Sequence, residues 1–573
     1  MPEITGLSAE QEAIVGLPLG PIAVTACAGS GKTRTAVSRL AAMRRLHVNE
    51  RSLVVLLSFS NVAVETFRNE YAAAVRLQGS SSRRDRAVEI DTMDGFITTN
   101  VLRPHGHRVM GCDCTPFLVE GREPFLKSFT VFDGTRSHST ASLSMSLQGG
   151  AFVHTVGRQA QVIDSWRAEA AVAKLGAVGA YTHASARYWV WRTLKNQPSL
   201  LDVLARRYPH ILVDEAQDIG PEHQAILELL IQHGSKVSLI GDPNQAIYEF
   251  AQADGGFLSG YGARTGVSDH QLSVNYRSVP SILEVANHLT GRADTANRQP
   301  QVGRHGAFYI PYDSKDRGPA LSTFQSLLER AGIDVQRGVV LCRSSDLAGE
   351  WGGEQDGQGV GVVRCFANAA ISRDQLGKLP RAFSEACAGV IGLLAPEHGG
   401  LTSQLARGTG QDVVGLRRAI WSFVRDAKTG LPSSALVADT AWHPLLCARV
   451  RALLLQLEGD YGLKLGENLG NKLAKKALEN RPLIEIPDLA EVGVTAFPAS
   501  TVHKVKGASL DAVLYVAKKR HVRALLDGTG SEDGRIGYVA LTRARDLFVL
   551  AVPKACLAEF EADLQAIGLK KAG

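Results

Sequence analysis

The chain has 573 residues, more than one hydrophobic core of ordinary size contains, so we expect about three to four domains or subdomains. Hydrophobic residues make up 45% of the sequence and charged residues 21%, and the longest apolar runs are far shorter than a membrane span, which argues against a membrane protein. The start of the sequence lacks the basic and apolar regions of a signal peptide, so we expect a cytoplasmic location and no membrane partner. The net charge of +6 permits a polyanionic partner without requiring one, and the eight scattered cysteines do not predict a disulfide framework.

Short apolar runs rich in β-forming residues alternate along the chain with stretches of helical periodicity. An early set of runs lies at residues 21–26, 52–59, 210–215 and 236–242, and a later set at 338–342, 511–517 and 546–552. This alternation favours parallel sheets covered by helices, and it predicts two α/β lobes. Residues 97–204 and 372–495 differ in character from the lobes, and we interpret them as two mostly helical insertions.

The first apolar run leads directly into a glycine-rich loop, ACAGSGKT at residues 26–33, and a helical pattern follows. A Walker A phosphate-binding loop requires this strand–loop–helix context. Its glycines let backbone N–H groups close around a phosphate, its lysine reaches the β- and γ-phosphate oxygens, and its threonine hydroxyl is a ligand for Mg²⁺. The predicted phosphate-binding residues are Ala28, Gly29, Ser30, Gly31, Lys32 and Thr33.

A second apolar run ends in a pair of carboxylates, in HILVDEAQD at residues 210–218. Asp214 is placed to hold Mg²⁺ together with Thr33, and Glu215 is placed to polarise an attacking water. The pair therefore favours hydrolysis of a nucleotide over transfer of its phosphate to another substrate.

The DEAQD string and its surroundings resemble the UvrD/Rep branch of superfamily 1 DNA helicases. The resemblance extends through an ordered series of motifs over nearly the whole chain. It implies that Gln11 reads adenine, that Arg34 lies against the base, that Tyr276 stacks on it and that Gln245 lies near the γ-phosphate. It also implies two arginine fingers, Arg277 in LSVNYRS and Arg543 in ALTRARDL. The catalytic residues implied in this way are Lys32, Asp214, Glu215, Gln245, Arg277 and Arg543.

The same resemblance implies a set of DNA-binding residues. LSFSNVAVETF supplies Phe59 and Asn61, and IDTMDGF supplies Thr92. LIGDPNQAIYEF supplies two aromatic side chains that would stack on bases, and STVHKVKGASL supplies a histidine. The full set is Phe59, Asn61, Thr92, Tyr248, Phe250 and His503.

The resemblance implies a fold of two RecA-like P-loop lobes with two inserted subdomains. It also implies an ATP- and Mg²⁺-dependent helicase or translocase that moves 3′→5′ on single-stranded or partly duplex DNA. We predict the following segments: first lobe at 1–96 and 205–280, its insertion at 97–204, second lobe at 281–371 and 496–573, and its insertion at 372–495.

The sequence departs from the family at several positions. Ser509 stands where the family has a glutamate that contacts the nucleotide sugar, and Gly534 and Gly537 replace larger residues. His105, His107, Cys112 and Cys114 could bind zinc, but their spacing fits no common zinc finger, and a polar loop with incidental thiols is the preferred interpretation.

A second functional interpretation stays open at this point. The chain also resembles the helicase-like subunit of Gabija antiphage systems, which pairs with an OLD-family nuclease. In that case it would be a DNA-sensing ATPase that regulates a partner nuclease and unwinds little. An inactive nucleic-acid-binding scaffold is disfavoured because the predicted catalytic residues are all present together. The oligomeric state is left open.

Overall fold

The computed structural model describes most of the chain and divides it into two compact units. The described residues are 6–47, 51–77, 88–119, 121, 123–157, 160–248, 253, 255–299, 305–351, 358–374, 379–395, 398, 401, 405, 411–483 and 497–572. The first unit comprises Met1–Val119, Phe129–Gly352 and Val494–Gly573, and the second comprises Glu120–Ser128 and Gly353–Gly493. No described helix is long and apolar enough to cross a membrane.

The first unit contains the strands of two large sheets and several small ones. They are β1 (Ile22–Ala26), β2 (Val54–Ser58), β3 (Val88–Thr92), β4 (Phe117–Leu118), β5 (Thr130–Phe132), β6 (Ser137–Ser139), β7 (Leu143–Gln148), β8 (Ala151–Val156), β9 (Gln161–Ile163), β10 (Ala180–Tyr181), β11 (His210–Val213), β12 (Lys236–Gly241), β13 (Ser268–Leu272), β14 (Val274–Asn275), β15 (Thr295–Ala296), β16 (Gly306–Tyr312), β17 (Gly338–Cys342), β18 (Ala499–Thr501), β19 (Leu510–Val516), β20 (Ala544–Pro553) and β21 (Lys570–Lys571).

Helices connect these strands and cover the sheets. Those of the first unit are Ala9–Gly16, Lys32–Leu46, Asn61–Leu77, Met93–Ile97, Arg103–His105, His107–Met110, Ser165–Ala177, His183–Asn196, Pro198–Arg207, Pro221–Gln232, Gly256–Tyr261, Pro280–Thr290, Gly318–Ala331, Ser345–Trp351, Lys519–Leu526, Glu532–Arg543 and Leu557–Ala566. Those of the second unit are Val362–Asp374, Leu379–Leu393, Gln411–Arg425, His443–Tyr461 and Leu469–Lys472.

The first lobe is built on a six-stranded parallel sheet with the order β13-β1-β12-β11-β2-β3. Every residue of β2 is buried. Val55 and Leu57 pack into one hydrophobic cluster, whereas Val54 and Leu56 pack into another. Because successive side chains of a strand point to opposite faces, this division shows that both faces are covered, as parallel sheets require.

The second lobe repeats this construction with the order β18-β17-β19-β20-β16-β21, again with parallel pairing throughout. In β19, Val513 and Tyr515 belong to one cluster and Leu514 and Val516 to another. The predicted α/β class with two lobes is confirmed. The segment boundaries stay a prediction.

The first insertion contains strands that the sequence analysis did not predict. β7, β8 and β9 form an antiparallel sheet, and β5 and β6 form a hairpin. Within the stretch predicted to be mostly helical, residues 143–148 form β7, in which Leu143 and Met145 are buried and Ser144 is exposed. This alternation has the period of a half-buried strand.

The second unit is helical in its described part. Its helices surround a single cluster of buried side chains, of which Trp442, Phe366 and Ile420 are fully covered. The leucine- and alanine-rich pattern of this stretch therefore serves helix packing.

Candidate active site

The glycine-rich loop follows β1 and leads into the helix Lys32–Leu46. Gly29 and Gly31 have φ angles of 75° and 77°, the left-handed region that favours glycine. A Cβ on Gly29 would lie 2.6 Å from Cβ of Arg277, and one on Gly31 would lie 2.8 Å from Nε2 of Gln11. Side chains are therefore excluded from the loop on two sides.

Gln11 is hydrogen-bonded to the backbone of the glycine-rich loop. Its buried side chain donates from Nε2 to the backbone O of Ser30 at 2.9 Å. Its Oε1 accepts from the backbone N of Ser8 at 3.0 Å, which completes the capping box of the helix Ala9–Gly16. Arg34 is exposed and lies beside Gly6. The adenine contacts predicted for Gln11 and Arg34 stay predictions.

Two carboxylates follow β11 at the edge of the sheet. Asp214 is 3% exposed, and its backbone N donates to the O of Leu57 in β2 at 2.9 Å. Glu215 has a φ of 53°, a left-handed backbone that is rare for a residue with a side chain and that clusters at functional sites. Its Oε2 lies 3.4 Å from Nζ of Lys32 and also accepts from Nε2 of Gln217.

The two carboxylates differ in charge state. Burial, and then the neighbouring Glu215 carboxylate, raise the pKa of Asp214 to about 7. Burial opposes ionisation of Glu215 as well, but Lys32 and Lys506 outweigh it and lower the pKa of Glu215 to about 2. Burial likewise disfavours the charged form of Lys32, but Glu215, followed by two aspartates, raises its pKa overall. Glu215 and Lys32 thus form a charged pair in the cleft.

The residues present fit a magnesium ion. Oδ1 of Asp214 is buried and has no hydrogen-bond partner in the described structure. A carboxylate oxygen of this kind and the Thr33 hydroxyl, in the first turn of the adjoining helix, are hard oxygen donors that Mg²⁺ prefers. A divalent cation here would also lower the pKa of Asp214, so that its carboxylate would be ionised.

Arg543 joins the second lobe to the first. It is 1% exposed and ends the helix Glu532–Arg543, and its Nη2 donates to Oε1 of Gln245 at 3.0 Å. Gln245 in turn donates from Nε2 to Oδ2 of Asp242 at 2.7 Å. Burial lowers the pKa of Arg543. The structure thus brings two predicted catalytic residues from different lobes into direct contact.

Arg277 lies on the other side of the loop. The backbone N of Tyr276 donates to the O of Gly29 at 2.9 Å, and Nδ2 of Asn275 donates to the O of Ala28 at 2.6 Å. Burial, and then the proximity of Arg543, lower the pKa of Arg277 to about 9. Two guanidinium groups that repel each other, one buried and one half-buried, favour an anion beside them, which a triphosphate would supply.

The predicted DNA-binding residues fall into two groups. Phe59, Asn61 and Thr92 line a cleft of about 760 Å³ at the first insertion. The other described members, Tyr248 and His503, lie against each other between the lobes with ring centroids 5.8 Å apart. Phe250 lies outside the described residues.

The cleft contains side chains that sequence reasoning missed. The first insertion contributes Arg103, Phe117, Leu118, Tyr181 and His183 to its lining. Asp94, from the motif that contains Thr92, also lines it. It accepts from Nε and Nη2 of Arg187 at 2.9 and 2.8 Å and lies 2.9 Å from Nε2 of His223. The His223 ring makes an edge contact with Phe59 at 5.6 Å. The second aspartate of IDTMDGF, Asp94, was the sequence signal for this cluster.

An ion pair between the lobes was also missed. Nζ of Lys506 lies 2.7 and 2.6 Å from the two carboxylate oxygens of Asp218, with both side chains buried. The same ammonium lies 4.7 Å from the ring centroid of Tyr248. Asp218, the last residue of DEAQD, therefore pairs with Lys506 of the motif STVHKVKGASL, which also contains His503.

The zinc candidates do not converge. Sγ of Cys112 contacts the O of Cys114 at 3.4 Å, and Sγ of Cys114 contacts the O of Val178 at 3.8 Å. Within the described ranges, no group of three or more histidine, cysteine, aspartate or glutamate side chains could hold a metal ion. Ser509, at the position of the family's sugar-contacting glutamate, is exposed.

Comparisons with known proteins agree with this geometry. The family model described as the UvrD/REP helicase N-terminal domain matches residues 7–168 and 179–261. YjcD of Bacillus subtilis is 26% identical over 342 residues, which are 54% of this chain and 42% of that protein. UvrD2 of Mycobacterium bovis, named an ATP-dependent DNA helicase, is 24% identical over 325 residues, 51% of this chain and 44% of that protein. DNA helicase II of Salmonella typhimurium is 25% identical over 304 residues, 50% of this chain and 40% of that protein. The match thus spans less than half the length of each of these relatives.

Proposed function

We infer that this chain, which belongs to the UvrD-type superfamily 1 helicases, is an ATP-dependent DNA helicase or translocase that hydrolyses ATP between its two lobes. The observation that supports the proposal best is the approach of Arg277 and Arg543 to the glycine-rich loop and to Gln245. A nucleotide whose γ-phosphate lies between a loop on the first lobe and Arg543 on the second links its hydrolysis to relative motion of the lobes.

We assign the nucleotide chemistry to this chain's own residues. The backbone N–H groups of the loop and Lys32 bind the phosphates, Thr33 and Asp214 hold Mg²⁺, and the ionised Glu215 orients the attacking water. Bound Mg²⁺ supplies neutralisation of charge on the phosphate oxygens. Gln245 connects this chemistry to the second lobe through Arg543.

We assign DNA to the cleft that Phe59, Asn61 and Thr92 line, and to the aromatic cluster at Tyr248. Stacking on aromatic rings does not depend on sequence, which suits a protein that moves along a strand. By family resemblance we propose 3′→5′ movement. The cytoplasmic location stays a prediction.

The direct test is ATP turnover of the purified chain with and without single-stranded DNA. We expect DNA to stimulate turnover, and we expect Lys32→Ala to reduce stimulated turnover by at least about 100-fold because the phosphates lose their charged donor. Lys519→Ala, which removes an exposed lysine from a helix of the second lobe, is the matched control and should behave as wild type. Turnover that ignores DNA, or that survives Lys32→Ala, contradicts the proposal.

Strand displacement separates the helicase from the DNA-sensing alternative. Partial duplexes with a 3′ or a 5′ single-stranded tail should be unwound only from the 3′ tail. An active, DNA-stimulated ATPase that unwinds neither substrate would favour the regulator of a partner nuclease. That alternative, its OLD-family nuclease and the oligomeric state stay predictions.

A further inference from the structure

The outer side of the helix Ser165–Ala177 carries exposed aromatic and cationic side chains. Trp166 is 69% exposed, and Phe132, on the neighbouring strand β5, is 48% exposed. The guanidinium carbon of Arg167 lies 5.1 Å from the ring centroid of Trp166 and 5.9 Å from that of Phe132. We call this surface the outer helix face; it consists of Phe132, Trp166, Arg167 and Lys174.

The cationic pattern repeats along this helix. Nζ of Lys174 lies 5.8 Å from the ring centroid of Phe129, the residue just before β5. Lys174 follows Arg167 by seven positions, so both lie on the same side of the helix, about 10 Å apart along its axis. Phe129 and Phe132 accompany them, which shows that β5 runs beside the helix.

The outer helix face leads to the cleft. Val178, directly after the helix, is 44% exposed, and the O of Gly179 accepts from the backbone N of Phe117 at 2.8 Å. Phe117 and Leu118 are 42% and 38% exposed, and both line the cleft that contains Phe59. The helix therefore connects the rim of the cleft to the exposed rings at its far end.

Cationic side chains stand beside the exposed rings of this surface. Arg136, at the turn between β5 and β6, has a side chain that is 72% exposed, and Lys174 is exposed. Each arginine has a carboxylate nearby, since Asp164 lies 3.4 Å from Arg167 and Asp133 lies 3.9 Å from Arg136. Glu169, on the same helix, is also exposed. Exposed rings with interleaved cations are the chemistry that holds single-stranded nucleic acid, because bases stack on rings and phosphates pair with cations.

We propose that the outer helix face is a second contact surface for single-stranded DNA, continuous with the cleft, that holds the part of the strand lying outside it. The proposal rests on the proposed function, since it requires DNA in the cleft. It explains why a tryptophan is exposed beside an arginine. Strand grip would then depend on how far the DNA extends beyond the cleft.

The test compares the wild type with a Trp166→Ala, Arg167→Ala double variant in binding to oligodeoxythymidylates of increasing length, measured by fluorescence anisotropy. We expect the Kd for a long oligonucleotide to rise about tenfold in the variant, since loss of one stacked base has an effect of this size. The Kd for the shortest oligonucleotide that still stimulates ATP turnover should not change. The maximal stimulated turnover should also stay the same, because the nucleotide cleft is untouched.

Two further variants make the result specific. Trp166→Phe keeps a ring and should retain most of the affinity for the long oligonucleotide. A Val203→Ala, Arg206→Ala double variant removes an exposed apolar side chain and an exposed arginine from another helix, and it should bind all lengths as the wild type does. Arg167→Ala alone should lower the slope of log K against log salt by about 0.7, the value for one lost phosphate contact on a single strand.

Equal affinity of the double variant and the wild type for the long oligonucleotide overturns the inference, and this outcome is also the one expected if the face binds a protein instead. A uniform loss at every length overturns it too, because the face would then not be an extension of the cleft. If single-stranded DNA fails to stimulate ATP turnover in the wild type, the proposed function itself is wrong.

Discussion

Asp94 connects several of the side chains at the cleft. It receives two hydrogen bonds from Arg187 and contacts buried His223, which in turn supports the ring of Phe59. Burial opposes its ionisation, but the hydrogen bonds from Arg187 and His223 dominate and hold the pKa of Asp94 well below its usual range. Its charge therefore stabilises the folded chain, and it positions one of the predicted DNA-binding rings.

Asp94→Asn should lower the free energy of unfolding by about 1 kcal/mol at neutral pH, a modest value because the side chain is 44% exposed and solvent screens the pair. A carboxylate whose pKa is lower in the folded than in the unfolded state stabilises above its unfolded pKa of about 3.9 and loses this effect as pH falls further. Urea denaturation should show a constant difference between variant and wild type at pH 6–8 and a smaller one below about pH 4. A difference that grows on acidification would contradict this account.

The helix Glu532–Arg543 requires its unusual glycines for close packing. A Cβ on Gly534 would lie 2.0 Å from the O of Gly528, and a Cβ on Gly537 would lie 2.8 Å from Cδ1 of Leu525. The helix therefore lies directly against the end of the helix Lys519–Leu526. Gly534 is thus matched to a close approach of backbone, and Gly537 to the side chain of Leu525.

Gly534→Ala should destabilise the protein by about 2 kcal/mol or more, because the new methyl group would lie 2.0 Å from the O of Gly528 and 2.7 Å from the O of Ala524, which belongs to the helix Lys519–Leu526. Gly459→Ala is the contrasting control, since this exposed helix position has nothing within 4 Å of an added Cβ. The control should gain up to about 1 kcal/mol from the better helix propensity of alanine. Melting temperatures measured without nucleotide would show opposite signs, and a stabilised Gly534→Ala protein would contradict the packing argument.

Several polar contacts hold the two lobes together. Arg543 bonds Gln245, Lys506 pairs with Asp218, and Nε of Arg535 donates to the O of Ala246 at 2.6 Å. Burial raises the pKa of Asp218 to about 6 although Lys506 lowers it. Of these contacts, we therefore expect the buried pair of Lys506 and Asp218 to affect stability most when one partner is removed.

Lys506→Met should lower the free energy of unfolding by about 3–5 kcal/mol, because it leaves a buried carboxylate without its cation. Adding Asp218→Asn should restore part of this loss, which a double-mutant cycle in urea would measure. Burial raises the pKa of Asp218 in the folded chain, and loss of Lys506 raises it further because Lys506 lowers it. Protonation removes the unpaired buried charge, so the single variant should gain stability relative to wild type as the pH falls from 8 to 5. A double variant less stable than the single one would show that the pair contributes nothing between the lobes.

Much of the fold was accessible from the sequence because both central sheets are parallel and buried. Such strands are continuous apolar runs, and the loop residues that follow them stand next to one another in the sequence, as in GSGKT and DEAQD. The antiparallel strand β7 was missed because residues 97–204 were interpreted as mostly helical, although the alternation of buried and exposed side chains from Leu143 to Met145 has the period of a strand.

The tertiary clusters were accessible only in part. Arg277 and Arg543 were placed with the nucleotide by family resemblance, whereas the Asp94 cluster joins residues up to 129 positions apart that no local pattern connects. The pairing of Asp218 with Lys506 spans 288 positions in the same way. The roles predicted for the individual site residues stay predictions until the variants above are measured.

The attachment of Asn275 and Tyr276 to the loop has a mechanical consequence. Asn275 ends β14 and Tyr276 follows it, directly before the chain enters the second lobe, and both are bonded to backbone of the loop, at Ala28 and Gly29. The segment at which the chain passes from the first lobe to the second is thus bonded to the backbone of the glycine-rich loop. A rotation of one lobe about this segment moves each surface in proportion to its distance from the segment. In the proposed mechanism, a small change at the loop would therefore produce a larger movement at DNA bound far from it.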